Sequence, residues 1–187
     1  MAPSPAGLYP FKVPDRLACS ERCTEVSGSK PTSAGLKLAS VDETEALGER
    51  IGAAAMAGLV IGLCGELGAG KTALVRGLAR GMGVEGRVRS PTFTVASLHP
   101  GVLPLIHVDA YRLDDPAELE LHGWHEWHQE GVIAVEWADR VEAILPDRCL
   151  RIDLAHEADG VRLGQIQAIG IASDDPVHRA FRAAIVS

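Results

Sequence analysis

The stretch LVIGLC, residues 59–64, running directly into GELGAGKT, residues 65–72, decides the fold. The first six residues are an apolar run of strand length. The next eight match G-x4-G-K-[ST] at every fixed position, and the following segment, 72–82, sets Leu74, Val75, Leu78 and Met82 on one helical face. A strand, a glycine-rich loop and a helix in that order is the setting in which this pattern holds polyphosphate. Several backbone N–H donors must converge on the anion, and glycines let the chain curl tightly enough to aim them. The helix adds its positive N-terminal end. Lys71 supplies a mobile charge for the β- and γ-phosphates, and the Thr72 hydroxyl is placed to hold Mg2+. The nucleotide-binding set of the loop is thus Glu66, Gly68, Ala69, Gly70, Lys71, Thr72 and Ala73.

The composition of the chain reinforces this reading. Of 20 glycines among 187 residues, nine lie between Gly58 and Gly86. The formal net charge is −7, which argues against a surface coated with basic charge for nucleic acid. Yet residues 66–89 carry five basic groups (Lys71, Arg76, Arg80, Arg87, Arg89) against two acidic ones (Glu66, Glu85). Those arginines are either a solvated helix face or part of an anion site. Lysine occurs at only four positions, and Lys71 is the last of them. Asparagine is absent, so the N-K-x-D segment that reads guanine is absent too, and ATP is the expected nucleotide.

Outward from the loop, Leu36–Ala39 reads as a short strand, and Ser40-x-x-Glu43 as a capping box opening a helix striped by Leu47, Ile51 and Ala55. Gly58 stands where a glycine would end that helix. Residues 92–98 and 103–108 flank His99-Pro100-Gly101 as a hairpin, 116–130 reads as one helix, and 132–135 as a fully apolar strand. Leu150, Ile152 and Leu154 alternate with Arg151 and Asp153, as in a half-buried strand; a turn at Asp159-Gly160 leads to a strand over 161–169, and 176–186 closes as a helix. Interleaved helices and strands with two hairpins predict an α/β three-layer sandwich around a mixed central sheet, the P-loop NTPase architecture. Residues 1–35, rich in Pro, Ser and Gly, read as a flexible N-terminal extension or a start set too far upstream, and 36–187 as the ATPase domain.

A P-loop hydrolase also needs carboxylates at the ends of neighbouring strands. Glu136 follows the apolar run 132–135, and Asp109 follows PLIHV, 104–108; either acid could serve the metal or the attacking water. Ser90-Pro91-Thr92 reads as a switch whose Thr92 reaches the metal or the γ-phosphate. His122, His125 and His128 are spaced i, i+3, i+6, which rotates the third away from the first, so they form no convergent metal site, and Trp124 and Trp127 pack on the core or face a partner. The apolar stretch 51–65 is shorter than the ~20 residues of a membrane span. The N-terminus lacks the continuous apolar core of a signal peptide. Four scattered cysteines fit a reduced cytoplasm: Cys19 and Cys23 have a C-x3-C spacing, but no His or second Cys pair lies near enough to complete a zinc site.

Taken in order, GELGAGKTALVRGLARGMG, SPTFTV, HVDAYRL, an ELE..G helix and VIAVEWADRV resemble the bacterial tRNA threonylcarbamoyladenosine biosynthesis ATPases, the TsaE family, over roughly residues 36–169. The resemblance implies an ATP-binding and ATP-hydrolysing subunit that uses Mg2+ and acts with the TsaB–TsaD pair, meeting tRNA only through those partners. It implies that Lys71 and Thr72 serve phosphate and Mg2+, that Glu136 is the second acid on the metal side, and that Asp109 is the water-positioning or catalytic carboxylate. It further implies support from Trp137 and Ser90, a switch role for Thr92, and contacts from Thr44 and Arg162 to the nucleotide. A small-molecule P-loop kinase is the alternative reading, although no lid insertion is visible; a nucleotide-gated binding module with negligible turnover is a third.

Overall fold

The computed structural model describes residues 32–91, 94–157, 160–169 and 176–185. Among these residues, seven strands form one mixed sheet: β1 (Thr32–Leu38), β2 (Val60–Cys64), β3 (Ala96–His99), β4 (Leu105–Asp109), β5 (Val132–Glu136), β6 (Cys149–His156) and β7 (Arg162–Ile169). Their order across the sheet is β1-β7-β6-β2-β5-β4-β3. The centre, β6-β2-β5-β4, is parallel, while β1, β7 and β3 join antiparallel at the flanks. Helices α1 (Val41–Ala53), α2 (Lys71–Gly81) and α5 (Pro176–Ile185) cover one face. Short helices α3 (Glu118–Leu121) and α4 (Trp124–Glu130), with 3-10 turns at Ala110–Arg112 and Ala138–Val141, cover the other. This is the expected three-layer α/β sandwich with a P-loop NTPase-like fold.

The parallel strands direct function to one edge. Strands β2, β4 and β5, buried almost throughout, end at Cys64, Asp109 and Glu136 on the same side of the sheet. In open α/β sheets, ligand sites form beyond the carboxyl ends of the strands. Helix α1 begins on the expected Ser40 cap: the Glu43 amide donates to Ser40 Oγ at 3.1 Å, while the Glu43 carboxylate reaches one residue beyond the cap and accepts from the Ala39 amide at 2.7 Å. It then packs on α2 at backbone contact. A Cβ at Gly77 would strike the Glu45 carbonyl, and one at Gly48 the Leu74 carbonyl. Arg76 and Arg80 resolve here as partners of α1, both at 2.8 Å from Glu45, with Arg80 also 3.3 Å from Glu49. Burial pushes the Glu45 carboxyl up, but the two guanidiniums outweigh it and hold the group below its ordinary range.

Several local expectations are corrected. Strand β1 starts at Thr32, ahead of the expected boundary at 35, and pairs along its length with β7. Helix α1 stops at Ala53, and Gly58 (φ +84°) serves instead in the turn before β2, where its amide donates to Gly131 O at 2.9 Å. The helix expected over 116–130 is two, because Gly123 takes φ +97° and breaks the run between α3 and α4. Trp124 is buried, edge-on to the His128 ring at 4.6 Å. Strand β6 is not half-exposed: Asp153 is buried and Arg151 lies over it, Nε to Oδ1 at 3.2 Å, while Arg151 Nη1 reaches Glu142 at 3.3 Å. Mutual pairing lets the polar side of that strand go under cover. Burial raises the Asp153 pKa even so. Strand β3 begins at Ala96; Thr92 and Phe93 lie outside the described residues.

Candidate nucleotide site

The loop after β2 is held open by glycine geometry and clamped by distant strands. Gly65, Gly68 and Gly70 take φ of +135°, +80° and +109°, the left-handed region where a side chain is strained. A Cβ at Gly65 would collide with the Leu154 carbonyl of β6. At the loop's crown, His156 Nε2 lies 2.6 Å from Gly68 O. Arg162 at the start of β7 covers Gly70, its Nε 3.0 Å from where a Cβ would stand. That Nε is buried with no hydrogen-bond partner among the described residues, although Arg162 Nη1 donates to Gly160 O at 3.1 Å. Helix α2 opens on Gly70 with no side-chain cap, leaving its first amides directed into the loop.

Lys71 is buried and folded back on the loop. Its Nζ donates to Gly65 O at 2.6 Å and Glu66 O at 2.9 Å, and lies 3.7 Å from the centre of the Trp137 ring. Burial lowers its pKa, opposed by the carboxylates of Glu136, Asp139 and Asp109. Trp137 takes φ +59°, an unfavourable conformation for a side-chain-bearing residue, and its ring meets both Lys71 and the Tyr111 ring, the latter at 4.9 Å. Backbone strain of this kind persists where the surroundings over-determine it.

The two acids stand beside each other on adjacent strands, Asp109 in register with Glu136. The Thr72 hydroxyl donates to Glu136, at 2.8 Å from Oε1 and 3.0 Å from Oε2. His107, two residues before Asp109 and so on the same face of β4, places Nε2 2.8 Å from Glu136 Oε1. Asp109 accepts from the Ser90 hydroxyl through Oδ2 and from the Tyr111 amide through Oδ1 at 3.1 Å. Glu136 is almost fully buried, whereas Asp109 is only partly covered.

Thr72 and Glu136 fit a small hard cation. Both offer oxygen, and Mg2+ takes one or two protein donors while keeping water and substrate phosphate in its remaining positions. Among the described residues, no group of three or more His, Cys, Asp and Glu is arranged to hold a metal by itself.

The loop residues Glu66, Gly68, Ala69, Gly70, Lys71, Thr72 and Ala73 come together with Asp109, Glu136, Ser90 and Trp137. Thr44 and Arg162 flank Gly70. The Thr44 hydroxyl donates to Ser40 O at 3.0 Å, so it presents its methyl to the loop. Thr92 lies outside the described residues. Sequence reasoning assigned no role to His107, Tyr111 or His156. Strand parity with Asp109 was a usable signal for His107; nothing local marks His156, whose partner lies 88 residues away.

The sequence model of the family described as "Threonylcarbamoyl adenosine biosynthesis protein TsaE" matches residues 38–163. The chain is 41% identical over 130 residues to the tRNA threonylcarbamoyladenosine biosynthesis protein TsaE of Bacillus subtilis, covering 69% of this chain and 82% of that protein. It is 45% identical over 135 residues to the protein of the same name from Streptomyces coelicolor, covering 66% and 89%. A crystal structure of Bacillus subtilis YdiB superposes with a TM-score of 0.64 at 34% identity, covering 76% of this chain and 89% of that one. The extent of these matches, on the residues that build the phosphate loop and both acids, means that the chain belongs to the TsaE family.

Proposed function

We propose that this protein is the ATP-binding and ATP-hydrolysing subunit of the machinery that makes threonylcarbamoyladenosine in tRNA, working in the cytoplasm with TsaB and TsaD and meeting tRNA through them. The convergence of Lys71, Thr72, Glu136 and Asp109 at the mouth of the phosphate loop carries the reading. The names of the relatives carry the pathway. No helix among the described residues is long and apolar enough to cross a membrane.

The loop amides and the opening turn of α2 bind the phosphates. Lys71, released from Gly65 O and Glu66 O, turns its charge to the β- and γ-oxygens. Thr72 and Glu136 hold Mg2+, which neutralises charge on the transferring phosphoryl group when bound. Asp109 orients a water by accepting its hydrogen bond and takes its proton as oxygen bonds to the γ-phosphorus. The bond to the β,γ-bridging oxygen breaks, and ADP and phosphate leave.

Phosphate release from ATP, with and without TsaB–TsaD, tests the reading. Lys71→Ala is expected to lose nucleotide binding and turnover, and unchanged turnover would sink it. Transfer of labelled phosphate to a small molecule in place of its release would favour a kinase.

A further inference from the structure

His107 is an expensive residue where it stands. Its side chain is fully buried, Nε2 meets Glu136 Oε1 at 2.8 Å, and Nδ1 has no hydrogen-bond partner among the described residues. A buried polar atom without a partner carries a desolvation cost that an apolar side chain would avoid. The compensating contact is with one acid. A carboxylate oxygen accepts, so the ring presents Nε2–H to Oε1 as the donor. Ala134 is the register partner of His107 on β5, a small neighbour two residues before Glu136 on the same face. Glu136 Oε1 thus takes two donors, the Thr72 hydroxyl at 2.8 Å and the His107 ring at 2.8 Å, while Oε2 accepts from Thr72 at 3.0 Å.

We propose that His107 is a positioning residue: the hydrogen bond from its Nε2 to Glu136 Oε1 fixes the orientation of that carboxylate beside Thr72, and Mg2+-dependent nucleotide binding depends on it. This rests on the reading that Glu136 serves Mg2+. Groups that orient a metal-side residue from behind commonly alter metal affinity by about 10- to 100-fold when removed.

The test compares ADP affinity of the full chain in excess Mg2+ and in excess EDTA, taking the ratio as the Mg2+ gain. Glutamine places an amide nitrogen near the position of Nε2, whereas asparagine reaches only the position of Nδ1. His107→Gln is expected to keep the gain within a few-fold. His107→Asn should lose about 10- to 100-fold of it, with the EDTA affinity unchanged. His107→Leu, which restores apolar packing, is expected to show the same loss and serves where His107→Asn does not fold. A wild-type gain in a folded His107→Asn or His107→Leu overturns the proposal; so does an equal loss in His107→Gln, which would indicate packing alone. Glu136→Gln separates the two readings. An unchanged gain there defeats the Mg2+ role of Glu136 itself, whereas a lost gain there with a wild-type gain in His107→Asn defeats only the positioning role.

Discussion

Asp109 and Glu136 are register partners across β4 and β5, yet their carboxylates answer to different neighbours. Glu136 is bound from the phosphate loop by Thr72 and from within the sheet by His107. Asp109 is bound by the Ser90 hydroxyl and the Tyr111 amide, outside the buried core. Adjacent acids with separate supports suit separate tasks, one for the cation and one for the water.

That division predicts different defects. Glu136→Gln should weaken nucleotide binding in Mg2+ while leaving binding in EDTA intact. Asp109→Asn should bind Mg2+-nucleotide normally and lose about 100- to 10,000-fold in turnover, the usual contribution of a positioned acid or base. Phosphate release and a nucleotide titration on both variants decide it. The assignment fails if Asp109→Asn loses the Mg2+ gain and Glu136→Gln does not.

What was legible in the sequence was what is local. Lys71 and Thr72 announce themselves because the loop, its strand and its helix are contiguous, and Glu136 because an apolar strand ends in an acid. Cross-strand contacts were not legible. His107 gains a role only when β4 lies next to β5 in register, and His156 only when β6 reaches back to Gly68. The break at Gly123 was hidden because a glycine inside a run of helix-compatible residues does not announce in sequence that it takes a left-handed conformation. The alternation of Arg151 and Asp153 with apolar residues reads as a half-buried strand because it reports polarity, and it cannot report that two polar groups satisfy each other under cover.

The contact of α1 with α2 should not tolerate a single methyl group. Gly77 faces the Glu45 carbonyl and Gly48 the Leu74 carbonyl, both rigid backbone. Overpacking of this kind costs about 1–3 kcal/mol. Gly77→Ala should therefore lower the melting temperature by roughly 2–12 °C, at about 2–4 °C per kcal/mol for a chain of this size. Because α2 carries Lys71 and Thr72, nucleotide affinity should fall with it. A Gly77→Ala protein that melts like the wild type would show that the helices separate freely.

Stability should fall in mild acid through His128. Burial holds its pKa below the ordinary value, helped by His125 and opposed by the hydrogen bond of Nδ1 to Trp124 O. Its Nε2 is buried with no partner among the described residues, so the extra proton is poorly placed. With the folded pKa below the unfolded one, protonation favours the unfolded chain. The contribution is complete above the unfolded value of about 6.5 and is lost as pH falls through it toward the folded one. His99, also lowered by burial and then by His107, adds to the same slope. Asparagine can keep a donor at the position of Nδ1 without titrating. His128→Asn should thus flatten the melting-temperature profile between pH 7.5 and 5, and an unaltered slope would exclude His128 as a source.

Cys64 offers a probe of how the site opens. It ends β2 immediately before the phosphate loop and is buried, and burial pushes its thiol up to about 12; Cys149 on β6 is pushed up to about 11 by the same cause. The thiolate is the nucleophile in alkylation, so both groups should resist iodoacetamide at neutral pH until the sheet opens. Labelling then measures the opening equilibrium. Removing Cys64 from cover disturbs the strand that carries the loop, so the open form should have no phosphate site. Saturation with Mg2+-nucleotide at about 100 times Kd is therefore expected to slow Cys64 labelling about 100-fold, by mass action on the closed form. Peptide mass spectrometry after timed pulses reads each cysteine separately. Rapid labelling of the native protein would contradict the burial. A Cys64 rate indifferent to nucleotide would mean that β2 opens without dismantling the loop, and the tie between strand and phosphate site would have to be given up.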